Sequence, residues 1–148
     1  MRHKRKLTLI LALTLLLTAC PSEKSSKYRE ATKASDRIAT SIGGLIDLKR
    51  SLAAQGLITP QEELQLTNLL LDANRAGRVF NDTAKSFKSD TPENRRALLA
   101  LFTDLSASIG RLNDQGVLHI KNPQARTLTS NVVASVNASL QIINAALQ

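Results

Sequence analysis

At 148 residues, 43% apolar and 22% charged, the chain has room for one small domain and enough apolar mass to give it a core. Its formal charge of +8 is unevenly placed: four of the twenty basic residues and none of the twelve acids lie in residues 1–19, so the remainder carries +4. A charge of that size does not call for nucleic acid, and one tyrosine, three phenylalanines and no tryptophan leave no aromatic platform for bases or sugars.

The first element is a targeting segment. Arg2, Lys4, Arg5 and Lys6 precede an apolar run from Leu7 to Leu17. A bilayer-spanning helix needs about 20 apolar residues, whereas a signal-peptide core needs about 7–15. The 11-residue run therefore reads as an export signal. Thr18 and Ala19 are small, as a signal peptidase requires, and the only cysteine of the chain follows as Cys20. Leu17-Thr18-Ala19-Cys20 resembles the lipobox of bacterial lipoproteins, a resemblance confined to the first 20 residues. It implies a diacylglyceryl group on the Cys20 thiol, cleavage between Ala19 and Cys20, and anchoring of the new N-terminus in a membrane. A lone cysteine in an exported chain has no internal disulfide partner, which agrees with that use. Residue 21 is Pro rather than Asp, so the resemblance implies an outer-membrane address, facing the periplasm, if the cell has two membranes. No further family resemblance extends into residues 21–148.

Residues 20–27 are polar and lack apolar periodicity after the cysteine, and are expected to be a tether. From residue 28 the helical period holds to the end. Ile38, Ile42, Leu45, Leu48 and Leu52 mark a helix over about 28–55. Leu66, Leu69, Ala73, Ala76, Phe80, Ala84 and Phe87 mark a second over about 60–88. Leu98, Phe102, Leu105, Ile109 and Leu112 mark a third over about 92–115, and Leu128, Val132, Val136, Leu140, Ile143 and Leu147 a fourth over about 123–147. Thr59-Pro60-Gln61-Glu62 is a capping box, and Thr91-Pro92 and Asn122-Pro123 open the last two helices in the same way. Gly56 and Gly116, each after a Gln, are expected to be helix stops. Similar helices with short links predict an all-α, up-down-up-down antiparallel four-helix bundle. Ile38, Ile42, Leu45, Leu52 and Gly56 recur 60 residues on as Leu98, Phe102, Leu105, Leu112 and Gly116. A duplicated hairpin and two independent hairpins of one heptad pattern both account for this.

The residues that carry chemistry are sparse. After cleavage there is one histidine, His119, in a link, so the axial ligands and Glu-x-x-His pairs of haem and di-iron bundles are missing. There is no phosphate loop and no nucleophile elbow. The acids do not cluster. The expectation is therefore a protein without enzymatic activity, metal or cofactor, other than covalent lipid on Cys20.

Three features invite a binding role. Gly43 and Gly44 interrupt the first helix and Gly77 the second, each at a cost of about 1 kcal/mol relative to Ala. They mark either a close approach of the two helices or a bend that opens a small apolar pocket. Lys85, Lys88, Arg95 and Arg96, with the basic start of the first helix, gather at the tethered end and could rest on anionic lipid headgroups. Ile46, Leu71, Val79, Leu99 and Ile142 stand off the main seams and are candidates for a partner-facing stripe. The leading expectation is a lipid-anchored envelope module that binds another envelope protein or serves structurally; the alternative is a carrier of a small apolar ligand in the bundle core.

Overall fold

The computed structural model describes residues 26–148, so the expected cleavage site at Ala19 and lipidated Cys20 lie outside the described residues. Four helices follow in order: α1 (Ser26–Ala54), α2 (Pro60–Ser86), α3 (Pro92–Arg111) and α4 (Pro123–Leu147). Each packs on its neighbour in sequence, and α1 closes the ring against α4 in the most extensive contact. This is the antiparallel four-helix bundle that the sequence predicts. Ser26 and Lys27, expected in the tether, already belong to α1.

The core is built from one stripe per helix. On α1, Tyr28, Ala31, Ala34, Ile38, Ile42, Leu45 and Leu52 are all buried, at spacings of three, four and seven. Phe80 of α2 is wholly enclosed, as are Leu98, Leu105 and Ile109 of α3. Lys49 lays its stem along the α1–α2 seam and donates through Nζ to Thr67 Oγ1 at 2.7 Å. One register departs from expectation. Leu128 is 41% exposed and Val132 only half-buried, while Ala125, Thr129 and Val133 face inward. Thr129 can do so because its hydroxyl donates to the Ala125 carbonyl at 2.8 Å, which leaves no polar group unpaired.

Helix ends follow local chemistry. Thr59 caps α2 by accepting from the Glu62 N–H at 3.2 Å, while Glu62 Oε2 accepts from the Thr59 N–H at 2.6 Å. Thr91 and Asn122 cap α3 and α4. Gly56 stops α1 at φ +68°, with the Gly56 N–H bonded to Ala53 O at 3.0 Å and the Leu57 N–H to Leu52 O at 2.9 Å.

Gly116 does not act as a stop. The chain runs on from α3 through a wider π turn, Leu112–Gly116, and a single 3₁₀ turn, Val117–His119. Gly116 is buried, and a Cβ there would lie 3.0 Å from Leu69 Cδ1 and 3.1 Å from Leu66 Cδ2. Close approach of α2, rather than a left-handed turn, is what this position requires. The two halves of the chain therefore end their first helices by different devices.

Candidate functional site

At the end where α1 begins, α1 meets the end of α2 and the link into α3. Tyr28 sits on the first turn of α1, 2% exposed, and donates its hydroxyl to the Ala84 carbonyl at 2.8 Å. That carbonyl belongs to the last turn of α2, where helix geometry leaves acceptors without intrahelical donors. Burial, together with the nearby Asp90 carboxylate, pushes the Tyr28 phenol up to about 12. Asp36 of α1 accepts from Lys85 Nζ at 2.7 Å and from Asn81 Nδ2 at 3.1 Å. The bond from Lys85 holds the Asp36 carboxyl below the usual aspartate range.

The link is fastened by a two-pronged pair. Arg95 Nε donates to Asp90 Oδ1 at 2.6 Å and Nη2 to Oδ2 at 2.8 Å, with the Asp90 side chain only 6% exposed. Arg96 stands 3.6 Å from Glu93, and both side chains are exposed. The four basic residues expected to meet headgroups are thus of different kinds. Lys85 and Arg95 hold the body together. Arg96 and Lys88 face solvent, Lys88 with no ion-pair partner among the described residues. The structure adds Arg37, which continues the exposed row Arg29, Lys33 along α1 and, with Glu30, Lys33 and Ile142, lines a cleft of about 290 Å³ between α1 and α4. The i, i+4, i+8 spacing of these three bases carries that signal in the sequence.

The glycines do not form a site together. Gly43 and Gly44 are exposed, and a Cβ on either would meet nothing within 4 Å. Gly77 is buried, with Ile42 Cδ1 at 3.6 Å and Leu105 Cδ1 at 3.8 Å from an added Cβ, an ordinary contact distance. Neither the close approach nor the apolar pocket expected at Gly43, Gly44 and Gly77 is what these positions show. Deeper in the core, Leu45, Leu66, Leu70 and Leu112 surround a void of about 10 Å³, the room of one water rather than of a ligand.

At the opposite end Glu62 ties two links together. Its Oε1 accepts from the Lys121 N–H at 2.8 Å while Oε2 serves the cap. Burial works to raise its carboxyl, but the Thr59 and Lys121 N–H groups outweigh this and hold it below the usual glutamate range. Gln65 Nε2 donates to the Gln115 carbonyl beside it. His119 is exposed.

Of the five off-seam apolar residues, Ile46 and Leu99 pack against the core and widen it. Leu71, Val79 and Ile142 remain 53%, 47% and 38% exposed, and Leu64 is 63% exposed. Leu64, Leu71 and Val79 fall on the outer side of α2, where seven- and eight-residue spacings bring them to one face. No helix among the described residues is long and apolar enough to cross a membrane. No protein-family model matches the chain, and no curated protein or solved structure matches it.

Proposed function

We propose that this chain is a lipid-anchored cell-envelope protein whose four-helix body acts, without catalysis, as an interaction or structural module. The observation that carries the interaction reading is the exposed apolar row Leu64, Leu71 and Val79 on α2, a face that water alone does not favour. The anchor rests on the lipobox-like residues 17–20, and α1 begins at Ser26, only six positions beyond Cys20. Six residues reach at most about 20 Å whatever their conformation, so lipid on Cys20 would keep the body beside the membrane. Headgroup contact would then fall first to Lys88, which has no ion-pair partner among the described residues, and to Arg96, whose pair with Glu93 is the looser one at 3.6 Å, while Lys85 and Arg95 are held by Asp36 and Asp90.

Metabolic labelling with radioactive palmitate tests the anchor. The full chain should take up label and stay with membranes through a high-salt wash, and Cys20→Ala should lose both properties. An unlabelled wild-type chain in the soluble fraction would overturn the anchored reading.

A further inference from the structure

The outer side of α2 has an internal symmetry. Reversing the residue order about Arg75 sets Leu71 opposite Val79, Asp72 opposite Arg78, and Asn68 opposite Asp82, and all seven positions are exposed. Leu71, Arg75 and Val79 stand at i, i+4 and i+8 and form a ridge. Clefts lie on both sides of it. One, of about 330 Å³, runs between α2 and α3, with Ala76 and Leu101 at its floor and Asp72, Asp104 and Arg111 at its rim. The other, of about 390 Å³, is lined by Asn74, Arg78 and Asp82. An i±4 ridge beside open grooves is the shape by which two helices interdigitate, at a crossing angle of about −50°.

We infer that this face is a docking surface for a second copy of the chain, with the two α2 helices crossing antiparallel at Arg75. In that arrangement Leu71 packs on Val79 of the second copy and Asp72 pairs with Arg78 of the second copy, each contact occurring twice by the two-fold axis. A parallel crossing would set Asp72 against Asp72 and Arg78 against Arg78, so the charge order selects the antiparallel one. Within one copy Arg75 has only a 3.9 Å exposed pair with Asp72, and Arg78 and Asp82 have no ion-pair partner among the described residues. On docking, each Arg75 guanidinium enters the cleft of the other copy, where Asp72 and Asp104 are set against Arg111, so the charge order at residues 72 and 78 carries the pairing. The inference rests on reading this face as an interaction surface and does not depend on the lipid anchor.

Cysteine crosslinking of the full chain in intact cells tests it, using a short bismaleimide. The parent chain, whose single cysteine is Cys20, sets the background. Asn74→Cys lies next to the axis and should crosslink to itself well above that background. Leu64→Cys should not, because the two positions fall about 33 Å apart along antiparallel helices at 1.5 Å per residue. Arg78→Asp, on an exposed helical position, should lower the Asn74→Cys dimer yield at least about tenfold, and adding Asp72→Arg should restore it. Equal crosslinking at residues 64 and 74, or no rescue by the swapped pair, would overturn the antiparallel crossing. If Asn74→Cys instead captured a protein of different mass, the second copy would be excluded while the interaction reading of the face stood.

Discussion

Tyr28 gives the sharpest prediction, because its hydroxyl is at once a helix cap and a buried acid. In the native protein it donates to the Ala84 carbonyl, and burial beside Asp90 raises its phenol from 10 to about 12. The folded state therefore holds this proton more tightly than the unfolded chain does. Stability from this source is complete below about pH 10 and is lost as pH rises through about 12, a total of about 2–3 kcal/mol at 1.36 kcal/mol per unit. Tyr28→Phe removes the hydroxyl and leaves a buried carbonyl without its donor, which costs about 1–2 kcal/mol near pH 7. The phenylalanine variant cannot ionise, so it should be the less stable protein near neutrality and the more stable one above about pH 12, with the two curves crossing near pH 11. Urea unfolding followed by far-ultraviolet circular dichroism at a series of pH values reads the crossing directly. Lysine titration affects both proteins alike and cancels in the difference. Because Tyr28 is the only tyrosine and there is no tryptophan, tyrosinate absorbance reports this one group without interference. A native titration midpoint at the ordinary tyrosine value, with a stability gap that stays constant across the alkaline range, would refute the reasoning.

The other predictions concern the link, the glycines and the far end. Asp90→Asn should lower the tyrosinate midpoint of Tyr28 and, by breaking the two-pronged bond to Arg95, lower the urea unfolding midpoint. Gly43→Ala with Gly44→Ala should raise stability by about 1–2 kcal/mol in total, since both added methyls meet open space; an unfolding midpoint that falls would show that something does pack there. Gly116→Ala should go the other way, losing about 1 kcal/mol or more as Leu66 and Leu69 are forced aside. Glu62→Gln should cost about 1 kcal/mol near neutral pH. Because the native carboxyl titrates below its unfolded value, that deficit should vanish as acid protonates the wild type, and a gap independent of pH would argue against the double bond to Thr59 and Lys121.

Helix positions were legible because two local signals coincide along this chain. Apolar residues recur every three or four positions, and Thr59-Pro60, Thr91-Pro92 and Asn122-Pro123 mark the entries of α2, α3 and α4. The α4 register was harder to read, since Leu128 is an apolar residue that faces water and Thr129 a polar one that is buried. Only the three-dimensional fact of the Thr129 hydroxyl bonding back along its own helix removes the penalty that a sequence reading assigns to it. Gly56 and Gly116 share the same preceding residue but differ in backbone conformation and in what stands over them; α2 packs on the second and not on the first. The pairing of Asp90 with Arg95 spans a cap at a spacing of five, which no helical rule anticipates, so two bases that look unneutralised in the sequence are divided by the fold into a structural clamp and an exposed charge. Gly43 and Gly44 illustrate the opposite error: residues that cost a helix stability need not be repaid by a contact.

The α1–α4 seam also imposes an order in time. The helix that supplies the largest surface to α1 is the last of the four to be synthesised, and about 120 residues separate Tyr28 from Leu147. At roughly 5–20 residues per second, the apolar side of α1 waits about 6–24 s for its final partner. During that interval Ile38, Ile42 and Leu45 can be covered only in part, by α2. A nascent chain of this design stays unfinished until α4 has been made, and depends on whatever holds its exposed side chains in the meantime.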